Sequence, residues 1–202
     1  MHIVEDDTSS RNATARLLRL AGYTVRTYSS ADEFQFAPVG PIGCVVLDLR
    51  LPGASGLELQ ESLARSSQPL PVVFLSGQAE VRDSVSAMKS GAVDFLTKTT
   101  DASELLGAVK RALAKASEAH ERRERVRAVR AKYERLTPRE REVFAHLISG
   151  QLNKQVGFDL GISEQTTKIH RHRVLEKMQA DSILHLVRMA AELGVAPVGS
   201  VR

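Results

Sequence analysis

Four short apolar runs in the first half of the chain each end at a residue able to do chemistry. Glu5, Asp6 and Asp7 follow His2–Val4, and Asp48 closes Cys44–Asp48. Ser76 follows Val72–Leu75, and Lys98 follows Asp94–Leu96. If these runs are parallel strands, one sheet edge gathers carboxylates from two of them, with a hydroxyl and an ammonium alongside. Crowded carboxylates repel one another unless a cation joins them. A hard divalent cation such as Mg2+, with Mn2+ as the alternative, takes oxygen ligands and keeps water positions that a phosphoryl oxygen can occupy. Asp48 neutralised in this way is a competent nucleophile toward phosphorus. Lys98 and the Ser76 hydroxyl would hold the remaining phosphoryl oxygens, so the site works by positioning and charge neutralisation. An acidic triplet after a strand is, taken alone, equally well a helix N-cap. The agreement of four strand ends is what favours chemistry.

The elements that must position these residues are legible from periodicity. Strand candidates are His2–Val4, Thr24–Tyr28, Cys44–Asp48, Val72–Leu75 and Asp94–Leu96. Between them lie helix candidates at Ser9–Ala21, Ala31–Phe36, Gly56–Ser66 and Val81–Ser90. Ser30 with Glu33, Ser55 with Glu58, and Asp101 with Glu104 have the capping-box spacing. Strands alternating with helices predict an α/β doubly wound, five-stranded parallel sheet, with ligands beyond the carboxyl ends of its strands. Val45-Val46-Leu47 is apolar without alternation, as a central strand covered on both faces should be.

From Ser103 to about Lys132 there is no Pro and one Gly, and Ala, Glu, Arg and Lys dominate. This predicts one long helix that completes the first domain and continues as a linker. Its apolar positions Leu105, Val109, Ala112, Ala116, Val126, Val129 and Tyr133 are interrupted by a charged gap at His120–Arg125. Four short helices follow. Thr137-Pro138-Arg139-Glu140 is a strong helix start. Asn153 is read as the cap of the second helix, which stops at Gly161. Ser163 caps the third, which runs to Met178, and Asp181 or Ser182 opens the fourth, ending near Gly194. Two helices joined by a turn of about three residues have helix-turn-helix spacing. The expected domains are residues 1–114, a linker at 115–135, an all-α domain at 136–196 and a disordered tail at 197–202.

Hydrophobic residues make up 43% and charged residues 26%, an ordinary globular balance. Residues 1–101 carry a net −3, residues 102–135 a net +5 and residues 136–202 a net +2, with four of the six histidines in the last part. The acidic front and basic back point to different partners. No run approaches a membrane span and no leader-like segment precedes the first strand, so a cytoplasmic location without membrane contact is expected. Cys44 is the single cysteine, which excludes an internal disulfide.

The blocks HIVEDD, VVLDLRLPGASGLEL, VVFLSG and DFLTK are similar to those of response-regulator receivers. LTPREREVFAHLISGQLNKQVGFDLGISEQTTKIHRHRVLEKM resembles the LuxR-type output domain. Together they resemble the NarL/FixJ family of two-component response regulators, and the long linker resembles its FixJ branch. The resemblance implies that Glu5 and Asp6 are the acidic pair and Asp48 the phosphoacceptor. It implies that the backbone carbonyl of Arg50 completes the Mg2+ ligands. Ser76 matches the switch hydroxyl, Phe95 the switch aromatic and Lys98 the lysine of the motif. It further implies phosphorylation by a cognate sensor histidine kinase and a homodimer formed through the fourth helix and fifth strand. Promoter DNA and RNA polymerase are the partners so implied, with no enzymatic activity beyond self-phosphorylation and autodephosphorylation. Two positions depart from the pattern. Glu5 replaces the commoner Asp, and Thr99 stands where Pro usually follows the lysine. A non-proline cis bond costs about 2.5–4 kcal/mol, so the Lys98–Thr99 bond is expected to be either trans or strained.

On the third short helix, Thr167, His170, Val174 and Met178 share one face, read as the core side, with His170 packed and hydrogen-bonded. Gln165, Lys168, Ile169, His172 and Glu176 lie opposite. Family likeness implies that Lys168, Ile169 and His172 reach base edges, where Lys168 would donate to guanine and Ile169 touch a thymine methyl. Lys154 and Arg173 suit phosphates. The DNA-contacting set is thus Lys154, Gln165, Lys168, Ile169, Arg171, His172 and Arg173. Three rival readings are an aspartate-nucleophile phosphatase, a phosphorylation-independent DNA-binding regulator with a degenerate receiver, and a purely structural interaction protein, which polar groups converging at four strand ends disfavour. The first needs an acid two residues after Asp48, where Arg50 stands. The second draws its support from Thr99.

Overall fold

The structure, a computed structural model, describes every residue except 38–39, 67, 78–79 and 200–202. The chain divides into two compact units, Met1–His120 and Glu121–Arg202, with the boundary inside one helix.

In the first unit strands and helices alternate: β1 (His2–Val4), α1 (Thr8–Leu20), β2 (Arg26–Tyr28), α2 (Ala31–Gln35), β3 (Val45–Leu47), α3 (Gly56–Arg65), β4 (Val72–Ser76), α4 (Val81–Lys89) and β5 (Asp94–Thr97). α5 (Ala102–Glu134) follows. All strand pairs are parallel and the order is β2-β1-β3-β4-β5. The strands are buried on alternating sides. Ile3, Val46, Val73 and Leu75 join α1 and α5 residues such as Leu18, Leu105 and Val109 in one core cluster. Val4, Val45, Leu47, Val72 and Phe74 join Phe34, Leu59 and Ala87 from α2, α3 and α4 in the other. Period-two alternation within uniformly apolar strands thus fills both faces of the sheet.

Element ends differ from expectation where pairing, and not residue type, decides. β2 starts at Arg26 instead of Thr24, and Asp48 lies just beyond β3, although its N–H still donates to Val4 O at 2.9 Å. β4 and β5 each run one residue further, because Ser76 pairs with Thr97. Ser55 and Glu58 form the full reciprocal cap. Glu33 instead receives the Ser29 N–H at 2.6 Å, while Ser30 Oγ accepts the Glu33 N–H. Asp101 receives the N–H of Glu104 through its backbone carbonyl.

In the second unit α6 (Pro138–Ile148), α7 (Asn153–Leu160), α8 (Glu164–Met178) and α9 (Ile183–Leu193) pack around Val143, Phe144, Leu147, Val156, Val174, Met178 and Leu186. Val129 and Tyr133 at the end of α5 join this cluster. Thr137, Ser163 and Ser182 are N-caps. The residue capping α7 is Leu152, not Asn153, because Gln155 Oε1 turns back to receive the Leu152 N–H at 2.8 Å. The α7–α8 turn is tight. Gly161 sits at φ 64°, and a Cβ on Gly157 would meet Ile162 O at 2.8 Å, so only glycine lets the chain pass there. The tail expectation falls partly on residues 200–202, outside the described residues. Val198 N–H donates to Ala145 O.

Candidate functional site

The β1 and β3 ends lie side by side because Val4 is registered with Leu47. Asp7 leaves the strand end as the N-cap of α1, accepting the Ser10 N–H at 2.7 Å. The N-cap reading of the acidic triplet is therefore right for Asp7 alone. Glu5, Asp6 and Asp48 each bring a carboxylate oxygen within 4.8 Å of the others. Glu5 and Asp48 are buried and Asp6 is exposed. Burial pushes the Glu5 carboxyl above its ordinary range, the Asp48 charge adds to this, and the Lys98 and Ser10 hydrogen bonds oppose it.

Lys98 reaches both buried carboxylates, with Nζ 2.6 Å from Glu5 Oε2 and 2.8 Å from Asp48 Oδ2. Partial burial alone would lower its pKa, but the bonds to Asp48 and Glu5 hold it above the ordinary lysine value. The loop carrying it is anchored by the Lys98 N–H on Ser76 O at 2.9 Å. The Lys98–Thr99 bond is trans, since no described peptide bond is cis. Thr99 takes up the turn by bonding its hydroxyl to that of Thr97 at 2.9 Å. Lys98 is thus delivered to Asp48 without the expected proline.

Ser76 is fully buried at the end of β4. Phe95 is half-buried and stacks on Phe74, with ring centroids 5.6 Å apart. Arg50 N–H donates to Asp48 Oδ1 at 3.3 Å. Three positioning residues were missed by sequence reasoning. Ser10 Oγ donates to Glu5 Oε2 at 2.9 Å. Arg11 Nη1 donates to the carbonyls of Glu5 and Asp6 at 2.6 and 2.9 Å. Gly56 passes so close that a Cβ would lie 2.3 Å from Asp48 O. A polar first turn directly after the triplet was the available signal for the first two. For Gly56 there was no local signal.

On α8, Thr167, Val174 and Met178 are buried, as the wheel predicts. His170 is half-buried there, but its buried Nδ1 has no hydrogen-bond partner among the described residues, which corrects the hydrogen-bonded expectation. Gln165, Lys168, Ile169, His172 and Arg173 are exposed, as is Lys154 on α7. Lys168 pairs with Glu164 at 3.3 Å. Arg171 is half-buried and reaches Asn153 Oδ1 at 3.4 Å.

Three carboxylates on one sheet edge are hard oxygen donors, suited to Mg2+ or Mn2+ and not to a soft metal. Burial is the main cause of the raised Glu5 pKa, and the repulsion from Asp48 that adds to it is the part a divalent ion would relieve. Residues 1–110 match the family described as response regulator receiver domain, and residues 134–190 the family described as bacterial regulatory proteins, luxR family. The response regulator protein TmoT of Ectopseudomonas mendocina is 39% identical over 195 residues, covering 96% of this chain and 88% of that protein. The transcriptional regulatory protein FixJ of Azorhizobium caulinodans is 39% identical over 199 residues, covering 98% and 94%. The solved response regulator StyR superposes with a TM-score of 0.81 at 38% identity, covering 95% of this chain and 97% of that one. Two family matches in this order, on an intact acidic site and a helix-turn-helix, mean that the chain belongs to the two-component response regulators that join a receiver domain to a LuxR-type DNA-binding domain.

Proposed function

We propose that Asp48 accepts a phosphoryl group from a sensor histidine kinase, and that this controls promoter binding by a dimer in the cytoplasm. The observation that carries the reading is Lys98 Nζ at 2.8 Å from Asp48 Oδ2, beside the converging carboxylates of Glu5 and Asp6. Mg2+, held by Glu5, Asp6, Asp48 and the Arg50 carbonyl, would neutralise charge on the carboxylates and on the phosphoryl oxygens. Asp48 forms the new O–P bond as the P–N bond to the kinase imidazole breaks. Lys98 stands ready to exchange carboxylate oxygens for phosphoryl oxygens. Ser76 is the neighbouring hydroxyl for a further phosphoryl oxygen.

Phosphorylation adds nearly two negative charges. Ser76 turns toward them, Phe95 follows inward, and the α4–β5 surface repacks. That surface exposes Val85 and Met88 beside Phe95, with Val81 exposed at the start of α4, which supports its use as the dimer face. Residues 1–114 are then the receiver, 115–135 the linker and 136–196 the output domain. Lys168, Ile169, His172 and Gln165 read bases, while Lys154, Arg171 and Arg173 hold phosphates. RNA polymerase is the downstream partner. The contact of Lys98 with Asp48, in a loop that carries Thr99, favours this reading over the degenerate-receiver alternative.

The test is incubation with acetyl phosphate and Mg2+, followed by phosphate-affinity electrophoresis and light scattering of wild type and Asp48→Ala. Retarded wild-type protein of doubled mass, with an unchanged variant, is the expected result. Equal mobility of the two proteins would overturn the proposal.

A further inference from the structure

We infer that Ser10 is a positioning residue for the cation site, required because this chain carries Glu5 where a shorter aspartate would need no such support. The inference rests on the proposed phosphoacceptor function and names what regulates its metal affinity.

The Glu5 carboxylate is buried and held by three donors. Asp7 N–H meets Oε1 at 3.1 Å, Ser10 Oγ meets Oε2 at 2.9 Å, and Lys98 Nζ meets Oε2 at 2.6 Å. A carboxylate offers roughly four acceptor positions, so Oε1 is the oxygen with one to spare for a cation or its water. Ser10 and Arg11 are neighbours on the first turn of α1. That turn fixes the strand-end backbone through the Arg11 bonds to the Glu5 and Asp6 carbonyls, and the Glu5 side chain through Ser10.

Lys98 is shared with Asp48 and must turn to phosphoryl oxygens when the group arrives. Ser10 is then the side-chain donor that keeps Glu5 in place. A glutamate has one more freely turning bond than an aspartate, and an unanchored Glu5 would present its oxygen to the cation only part of the time. An aspartate at this position would end about 1.5 Å short of the present carboxylate, out of hydrogen-bond reach of Ser10 Oγ.

The test is isothermal titration of Mg2+ into the full-length protein, comparing wild type with Ser10→Ala, Ser10→Thr, Glu5→Asp and the Glu5→Asp/Ser10→Ala double variant. Loss of an outer-shell partner weakens metal binding by about tenfold or more, which is expected for Ser10→Ala. Ser10→Thr keeps the hydroxyl and should bind as wild type. In the Glu5→Asp background Ser10→Ala should change nothing. Metal-free melting curves check that the helix is intact. Ser10→Ala with wild-type affinity overturns the inference alone. Equal weakening in both backgrounds also overturns it, because Ser10 would then act on the helix and not on Glu5. Absence of Mg2+ binding by the wild type removes the proposed function itself.

Discussion

Lys98→Ala removes the ammonium that, among the described residues, touches both buried carboxylates. Its two bonds, at 2.6 and 2.8 Å, are charge-assisted and contribute about 1.5–3 kcal/mol each. Part of this is offset in the wild type by desolvation of a lysine side chain that stays 26% exposed. A net loss of about 3 kcal/mol is therefore expected at pH 7 without metal, lowering the melting temperature of the first unit by about 10–15 °C. The deficit should shrink at lower pH. Glu5 already has a raised carboxyl pKa through burial, and loss of Lys98 raises it further, so the folded variant binds a proton that the unfolded chain does not. The folded state gains stability as pH falls toward the ordinary carboxylate range. Mg2+ at a hundredfold excess over its dissociation constant would return about 2.7 kcal/mol. The assay is calorimetry of wild type and variant in EDTA and in MgCl2, at pH 7 and pH 5. A loss in EDTA below about 1 kcal/mol, the range of an exposed ion pair, would refute the reasoning.

Burial holds His2 down to about 4 from its ordinary 6.5, with the N-terminal ammonium and Arg26 acting in the same direction. The unfolded chain therefore takes up this proton first, and stability falls as pH drops through 6.5 toward 4, by about 3 kcal/mol in all. His2→Phe should flatten the pH profile of the first unit's melting in that window, and an unchanged slope contradicts the assignment. In the second unit, Glu140 is buried, which would raise its pKa, but Lys177 at 2.6 Å and the Thr137 N–H at 2.8 Å hold it lowered. Lys177→Ala should cost about 2 kcal/mol in urea unfolding at pH 7, a difference that disappears below the Glu140 pKa as the carboxyl protonates. Gly56→Ala forces a Cβ to 2.3 Å from Asp48 O and should destabilise the first unit by about 1–3 kcal/mol, read by urea midpoint, while slowing phosphoryl uptake.

Most elements were legible because their signals are local. Thr137-Pro138 with Glu140, Ser55 with Glu58, and the uniformly apolar Val45–Leu47 each satisfy their own backbone or burial needs within a few residues. The α8 wheel separated buried Thr167, Val174 and Met178 from exposed Lys168 and His172 for the same reason. Where a partner lies elsewhere in the chain, local reading failed. Asn153 looks like a cap, yet Gln155 serves the N–H of Leu152 and Asn153 meets Arg171 from α8. Thr99 cast doubt on a loop that the threonine hydroxyls close in a trans conformation.

Residue types at the strand ends were sufficient to expect a cluster of carboxylates suited to an oxygen-liganded cation, and Glu5, Asp6 and Asp48 do converge. That Lys98 spans Glu5 and Asp48 was decided by tertiary structure alone, whereas the Asp7 cap of α1 and the Ser10 and Arg11 bonds to the acidic loop are local contacts within six residues. The Lys98 contacts depend on the strand order β2-β1-β3-β4-β5, which brings side chains 50 residues apart to within one hydrogen bond. Spacing along a chain carries no record of distances across a sheet, so only the folded arrangement sets which donor each oxygen meets.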